Sequence, residues 1–169
     1  EARLRLLRAQ IEPHMLFNTL ANLRALIDED AKQAQLMLDQ LITYLRAALV
    51  ASRTESTTLH REFAQLRAYL DLMSVRMGER LTYTLELPDS LQQAAVPPML
   101  LQPLVENAVK HGLEPKIGGG SITVRARMTG EAIEISVSDT GLGLPPDTVW
   151  DGPTDSYGLQ YVRERLQAL

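Results

Sequence analysis

The stretch Pro97–Gly112, with the sequence PPMLLQPLVENAVKHG, carries the densest group of chemically active side chains in the chain. Most of it predicts a helix, which would place Glu106, Asn107, Lys110 and His111 on one continuous face. An amide oxygen suits Mg²⁺, while lysine and histidine suit phosphate oxygens. An ordinary helix end, with two basic side chains near its last carbonyls and a glycine after them, would explain only the second half of this pattern.

Glycine and proline divide the 169-residue chain into two parts. Residues 1–77 contain no glycine and one proline, whereas residues 78–169 contain all ten glycines and the other eight prolines. A glycine-free stretch rich in Leu, Ala, Gln, Arg and Glu favours long helices, because these side chains lose little rotamer freedom there. We therefore expect a helical first part and a second part that contains the strands and turns.

The first part predicts three helices, over residues 1 to about 27, about 30 to 52 and about 58 to 77. Apolar residues of the second helix recur at spacings of three and four and form one stripe, made of Ala34, Met37, Leu38, Leu41, Leu45 and Leu49. An antiparallel hairpin that dimerises into a four-helix bundle is the economical way to bury such a stripe.

The second part predicts a mixed domain. Apolar residues at every second position predict strands over 81–87, 122–126 and 133–137. Apolar residues at spacings of three and four predict helices over 98–111 and 158–169. We expect the helices to pack on one face of a largely antiparallel sheet. The three glycines at 118–120 predict a turn rather than a phosphate loop, because no Lys-Ser/Thr follows and a strand comes next.

Charge and composition exclude several classes of function. The net charge is −4, with +1 on residues 1–77 and −5 on residues 78–169, and no cluster of Lys and Arg marks a nucleic-acid surface. We therefore expect no nucleic-acid partner, and an anionic ligand in the acidic part would need a divalent cation. The absence of cysteine excludes disulfides, thiolate zinc sites and thiol nucleophiles. No run of about 18 apolar residues and no signal peptide occur, so any membrane anchor is expected outside this sequence.

The first helix contains Pro13-His14, and a proline inside a helix costs about 3 kcal/mol. The apolar stripe of this helix runs from Leu16 to Ile27, and a rotation of about 100° per residue places His14 on the opposite side. The imidazole should therefore face away from the core. It is either an exposed helical side chain without a role or a reactive group that the proline helps to present.

Two further candidates lie in the second part. The run from Asp139 to Gly143, DTGLG, offers a carboxylate that can accept from an exocyclic amine, and its glycines let backbone approach a flat ring. An ordinary turn is the alternative. Gly158 and Leu159 open the predicted final helix, where free amides suit a phosphate, although glycine is also a common N-cap.

Taken together and in this order, these motifs resemble the LytS/YehU-type sensor histidine kinases. The resemblance covers nearly the whole chain, and its most specific strings are PHMLFN at 13–18 and the Pro97–Gly112 stretch. It implies an α+β multidomain fold. A dimeric helical hairpin for dimerisation and phosphotransfer would occupy residues 1–56, and an α/β-sandwich ATP-binding domain of the Bergerat or GHKL type would occupy residues 57–169. Members continue into a final β-hairpin, so we expect the domain to extend beyond Leu169.

The resemblance also implies roles for the candidate residues. His14 would be the phosphoacceptor and Asn107 the ligand of Mg²⁺. Glu106 is our candidate for the base, once the ATP-binding domain docks, because neither Glu12 nor Met15 is placed to serve. The other residues would line the ATP site: Lys110 and His111 at the phosphates, Asp139 at the adenine amine, Gly141 and Gly143 beside the ring, and Gly158 and Leu159 at the phosphate end.

The implied function is ATP-dependent autophosphorylation of His14 followed by transfer to an aspartate of a response regulator, with ATP and Mg²⁺ as cofactors. The implied partners are a second copy of the chain and a receiver domain, and the implied location is the cytoplasmic part of a bacterial inner-membrane sensor. Two alternatives remain open. Ser156 departs from the Gly-x-Gly of the family's lid, here residues 144–157, which would suit a nucleotide-binding dimeric module without catalysis. Glu106 could instead activate water in a gyrase-like ATPase, although the helical front end counts against that.

Overall fold

The computed structural model of the protein describes residues 13–51 and 56–143. The predicted lid at 144–157, Gly158, Leu159 and the predicted final helix lie outside these ranges. In chain order the helices are α1 (Pro13–Glu29), α2 (Ala31–Ala51), α3 (Leu59–Met77) and α4 (Gln102–Asn107), and the strands are β1 (Thr57–Thr58), β2 (Leu81–Glu86), β3 (Ala95–Val96), β4 (Gly120–Thr129) and β5 (Ala132–Asp139). A π-helical turn, Ala108–Leu113, continues α4 without a break.

The three helices predicted for the first part are confirmed over the described residues. α1 and α2 form an antiparallel hairpin that turns at Asp30, whose carboxylate accepts a hydrogen bond from the backbone amide of Gln33 at 3.0 Å. Thr58 caps α3 in a similar way, with its hydroxyl oxygen 3.4 Å from the amide of Arg61. α2 packs against both α1 and α3.

The predicted stripe of α2 is divided between two surroundings. Met37, Leu41 and Tyr44 are buried in the core that α2 shares with α3. Ala34 and the 43% exposed Leu38 instead line a groove together with Leu23 of α1. Other large apolar side chains of the hairpin are exposed as well: Phe17, Leu20, Ile27, Leu36, Ile42 and Leu49. The hairpin therefore has one apolar surface inside the chain and one that faces outward. Even so, none of the described helices combines the length and apolar character needed to cross a membrane.

One hydrophobic core runs from the hairpin to the sheet. Met15 of α1 and Tyr44 of α2 belong to the same cluster of buried side chains as Leu66 of α3, Val105 of α4 and Ile122 of β4. The hairpin and the elements of the predicted ATP-binding domain therefore pack together in this structure. The domain boundary after residue 56 stays a prediction.

The main sheet has the strand order β2-β4-β5, and β1 pairs separately with β3. β4 and β5 are antiparallel, and Gly130 closes their hairpin with a φ of 63°. β2 and β4 are parallel, with Leu81 beside Gly120, so the prediction of a largely antiparallel sheet is wrong for one of the two strand pairs of the main sheet. The cause is the connection between them, since residues 87–119 are enough to bring the chain back in the same direction.

Tyr83 of β2 ties the main sheet to α3. Its hydroxyl donates a short hydrogen bond to the carboxylate of Asp71. Burial, together with this acidic neighbour, raises the pKa of Tyr83 to about 12. The hydroxyl therefore keeps both its proton and its partner throughout the neutral pH range.

A buried carboxylate from α3 determines where α4 begins. Glu62 is only 3% exposed, and its two oxygens accept hydrogen bonds from the amides of Met99 and Leu101, at 2.8 and 3.2 Å. Within the described residues, Met99 is the one non-glycine residue with a left-handed backbone, at a φ of 59°. The helix predicted over 98–111 begins at Gln102 instead, because the chain first turns around this carboxylate.

Replacing Glu62 with alanine is expected to lower the free energy of unfolding by about 3 kcal/mol, because two buried amides lose a charged acceptor. Urea unfolding followed by circular dichroism measures the loss. Glu79→Ala removes an exposed carboxylate just after α3 and serves as the matched control, with an expected change below about 0.5 kcal/mol. Equal losses in the two variants would contradict the role assigned to Glu62.

Candidate active site

Two of the predicted motifs meet at the end of β5. The amide of Leu142 donates to the carbonyl oxygen of Gly112 at 3.0 Å, which joins the loop after β5 to the π-helical turn. A Cβ atom at Gly141 would lie 2.3 Å from the carbonyl carbon of Gly112, and one at Gly112 would lie 2.7 Å from Oδ1 of Asp139. Gly141 therefore has no room for a side chain, because its Cβ would overlap the backbone of Gly112, whereas a Cβ at Gly112 would meet the carboxylate of Asp139.

This contact changes what the two glycines are for. The alternative in which Gly112 ends a helix is wrong. A glycine that ends a helix in this way has a left-handed backbone, and the backbone of Gly112 is not left-handed. The described glycines that have such a backbone are Gly78, Gly119, Gly130 and Gly143. The space that a Gly141 side chain would take is filled by Gly112, so this glycine joins two protein segments. Its place beside an adenine ring stays a prediction.

Asp139 is held in a defined orientation beside this contact. Its Oδ1 accepts a hydrogen bond from the amide of Gly141 at 2.8 Å. Thr140 is fastened to β4, because its hydroxyl accepts from the amide of Ser121 at 2.9 Å and its own amide donates to the Ser121 carbonyl at 3.0 Å. The Asp139 side chain is exposed, and within the described residues its Oδ2 has no hydrogen-bond partner. That oxygen can accept a hydrogen bond from a ligand.

The four polar residues of the Pro97–Gly112 stretch are distributed over two kinds of helix. Glu106 and Asn107 end α4, and Lys110 and His111 lie in the π-helical turn. The first three are half-buried and His111 is exposed. A π-helical turn contains one residue more than an α-helical turn, so the two basic residues are displaced around the axis from their predicted positions. Single π turns within helices are frequent at functional sites.

Sequence reasoning missed a basic support next to these motifs. The guanidinium of Arg80 donates to three backbone carbonyls, at 2.8, 2.9 and 3.1 Å, those of Glu114, Lys116 and Ile117. Lys116 in turn donates from Nζ to the carbonyl of Thr140, next to Asp139. The loop after the π-helical turn is thus fixed to the Asp139 motif. Local spacing cannot predict such contacts, since Arg80 lies at least 34 residues from its partners.

His14 is exposed on α1, as predicted. Asn18, one turn further on, brings its Nδ2 to 3.3 Å from both ring nitrogens. The neighbouring Met15 is only 4% exposed, and Thr19 donates from its hydroxyl to the Met15 carbonyl at 2.8 Å. The imidazole therefore faces solvent on a helix that Met15 and Thr19 anchor in the core, whereas Leu20 and Ile27 of the predicted apolar stripe are exposed.

A polar contact that sequence reasoning also missed connects the hairpin with α4. Tyr44 of α2 is fully buried, and its hydroxyl donates to Oε1 of Glu106 at 3.4 Å. Nε2 of Gln102, one turn before Glu106, lies 2.7 Å from the same carboxylate oxygen and 3.3 Å from the Tyr44 hydroxyl. The side chain expected to act as the base is therefore held by the hairpin as well as by its own helix.

The donor set is compatible with Mg²⁺ bound together with phosphates. Among the described residues, no group of three or more His, Asp and Glu side chains is arranged to hold a metal ion. Mg²⁺ at nucleotide sites usually keeps several waters and takes one or two protein ligands plus the substrate phosphates. Asn107, with Lys110 three residues further on, fits that smaller requirement.

Family models match the chain in two blocks. The model described as histidine kinase matches residues 2–81, and the model described as histidine kinase-, DNA gyrase B-, and HSP90-like ATPase matches residues 98–166, which implies ATP binding. The histidine kinase domain of a blue-light activated histidine kinase from Erythrobacter litoralis has a similar fold, with a TM-score of 0.53 and 17% identity over 99% of this chain and 82% of that one. The fold and the matched regions define a histidine kinase core.

Named relatives match across both blocks. Sensor protein LytS from Oceanobacillus iheyensis is 36% identical over 144 residues, which are 85% of this chain and 25% of LytS. Sensor histidine kinase BtsS from Escherichia coli is 33% identical over 167 residues, 99% of this chain and 29% of BtsS. Sensor histidine kinase YpdA from Escherichia coli is 31% identical over 174 residues, 100% of this chain and 31% of YpdA. The chain belongs to the LytS/YehU-type sensor histidine kinase family and spans about a quarter to a third of the length of these relatives.

Gly141→Ala is expected to lower the melting temperature and to weaken ATP binding by at least about tenfold, because its Cβ would overlap the backbone of Gly112. Differential scanning fluorimetry and calorimetric titration of the full-length protein measure the two effects. Gly118→Ala is the matched control, since nothing lies within 4 Å of a Cβ there. Wild-type stability and affinity in Gly141→Ala would show that the two backbones do not meet as described.

Proposed function

We propose that this chain is the core of a two-component sensor histidine kinase that transfers the γ-phosphoryl group of ATP to His14 and then to an aspartate of a response regulator. The family matches support the class of reaction. The observation that carries the assignment of residues is the level of His14 and Glu106 along the helical hairpin.

The connectivity of the hairpin supports this pairing of residues. α1 and α2 run antiparallel from Asp30, so Tyr44, which contacts Glu106, lies opposite residue 16, and His14 lies opposite residue 46. With a rise of about 1.5 Å per residue, the levels of His14 and Tyr44 differ by about 3 Å along the hairpin axis. The expected phosphoacceptor and the residue that contacts the expected base are thus at nearly the same level along the hairpin axis.

His14 acts as the nucleophile in this proposal. A neutral imidazole can attack without prior activation. One ring nitrogen bonds to the γ-phosphorus while the bond from that phosphorus to the β–γ bridging oxygen breaks, and ADP leaves. The other ring nitrogen gives its proton to the carboxylate of Glu106. Most of the catalysis then comes from positioning and from neutralising charge.

Few groups are available to neutralise the negative charge of the ATP phosphates, because the second part of the chain itself carries a net charge of −5. Lys110 and His111 would face the phosphates, with Gly158 and Leu159 closing that end. Mg²⁺, held by Asn107 and the phosphates, would supply further positive charge at the leaving group. The remaining residues recognise the base: Asp139 accepts from the adenine amine, and Gly141 and Gly143 shape the loop around it.

The partners and the location follow from the same assignment. Exposed apolar side chains of the hairpin, such as Leu20, Ile27 and Leu38, suit a four-helix bundle with a second copy of the chain. A receiver domain would dock near His14. Because the relatives are three to four times longer, we place this chain on the cytoplasmic side of a bacterial inner-membrane sensor whose membrane segments lie outside this sequence.

Incubation with γ-labelled ATP is expected to label the full-length protein in a form that is labile in acid and stable in base. His14→Gln should reduce the label by at least about 100-fold, because an amide nitrogen is not a nucleophile. His60→Gln is the matched control, since His60 is also an exposed helical histidine, and should label like the wild type.

Label that persists in His14→Gln would contradict the assignment of the phosphoacceptor. Saturable ATP binding by the wild type without any label would instead favour the non-catalytic nucleotide-binding module. Release of phosphate without a labelled protein would favour an ATPase.

A further inference from the structure

Tyr44 carries a hydroxyl into the core of the protein. The residue is 0% exposed, and its ring packs against Tyr69 of α3 with the centroids 5.8 Å apart and the planes tilted by 54°. A buried hydroxyl destabilises the fold unless it is paired. Because packing fixes the ring, it also fixes the direction in which the hydroxyl points.

That hydroxyl is part of a triangle of polar contacts around Glu106. It donates to Oε1 of Glu106 at 3.4 Å and accepts from Nε2 of Gln102 at 3.3 Å. The same Nε2 group donates to Oε1 at 2.7 Å. One oxygen of the carboxylate therefore receives two donors, one from the hairpin and one from α4.

Gln102 donates two of the hydrogen bonds in this triangle, and its burial there lowers the stability of the fold. It is 2% exposed, and its Oε1 has no hydrogen-bond partner among the described residues. Turning the amide around would bring that oxygen against the Glu106 carboxylate, so the present orientation is the one that keeps Glu106 paired. An apolar side chain of the same size would avoid the unpaired acceptor. The glutamine is therefore explained by its contact with Glu106 rather than by stability.

We propose that Tyr44 is a positioning residue, which acts with Gln102 to hold Glu106 in the orientation that accepts the proton of His14. The proposal rests on the phosphotransfer function proposed above. Tyr44 belongs to the hairpin that carries His14, whereas Glu106 belongs to the ATP-binding part. The contact from Tyr44 therefore exists only while the hairpin is docked on α3, and a signal that shifts α2 would change how the base is held.

Tyr44→Phe in the full-length sensor tests this directly, because it keeps the ring against Tyr69 and removes only the hydroxyl. The variant is expected to lower kcat for autophosphorylation about tenfold and to leave KM for ATP within about twofold. Tyr83→Phe is the matched control, since it removes a hydroxyl bonded to Asp71 instead. Its kcat is expected to equal that of the wild type.

Two further variants separate positioning from a structural role. In a Glu106→Gln background, Tyr44→Phe should change kcat by less than about twofold, because a residue that acts through Glu106 has no further effect once the carboxylate is absent. Gln102→Met keeps the volume and removes the unpaired acceptor. The lost donor to Glu106 offsets that gain, so the melting temperature should stay close to the wild-type value while kcat falls about tenfold, which a loss of structure would not produce.

An unchanged kcat in Tyr44→Phe, or an equal loss in the wild-type and Glu106→Gln backgrounds, would overturn the proposal. The carboxyl-carbon NMR signal of Glu106, identified by its absence in Glu106→Gln, gives a readout independent of transfer. It should shift in Tyr44→Phe and stay unchanged in Tyr83→Phe. A shifted signal in a protein that never labels His14 would overturn the proposed function alone, and an unshifted signal would overturn the role of Tyr44.

Discussion

The site depends on one close contact, in which the loop after β5 packs on the π-helical turn so tightly that Gly141 has no room for a side chain and Gly112 lies against the Asp139 carboxylate. This contact places the exposed carboxylate of Asp139 at the end of the stretch that carries Asn107 and Lys110. A carboxylate oxygen that can accept a hydrogen bond from a ligand therefore lies beside the end of the stretch whose side chains suit phosphates. A hydrogen bond from the Leu142 amide to Gly112 holds the two segments together.

The helix that carries these groups is fixed at three points, each by a different element. The buried carboxylate of Glu62 holds the backbone just before α4, Tyr44 of the hairpin contacts its last turn, and the loop at Gly141 packs on the π-helical turn. Of these three residues, Tyr44 is the one outside residues 57–169, the range predicted for the ATP-binding domain. The geometry of the ATP-binding part is thus coupled to the helical part through side chains in a shared core.

Local signals in the sequence were enough for the helices and for most candidate residues. The period of apolar residues predicted α2 and α3, and His14 is exposed as predicted, although Leu20 and Ile27 of the stripe expected on the other side are exposed as well. These features depend on residues within one or two turns of each other. The sequence also brought together the Asp139 and Pro97–Gly112 motifs, but only through resemblance to a family.

What could not be predicted depends on residues far apart in the chain. The parallel pairing of β2 with β4 is decided by how residues 87–119 return to the sheet, and the contact of Tyr44 with Glu106 spans 62 residues. Leu38 was assigned to a single buried stripe, yet it faces outward because α3 covers only part of α2. Each of these outcomes depends on how different elements pack together. The spacing of apolar residues along a single helix or strand carries no information about that packing.

The central claim is that Asp139 and the Pro97–Gly112 stretch form one adenine-nucleotide site, and titration of ATP with Mg²⁺ into full-length wild-type and Asp139→Asn protein tests it most directly. Asparagine can still accept the hydrogen bond from the Gly141 amide, but it presents an NH₂ group where a carboxylate oxygen would accept from the ligand amine. The variant is expected to keep the wild-type melting temperature and to bind ATP at least about tenfold more weakly. Equal affinity for ATP in the two proteins would contradict the claim.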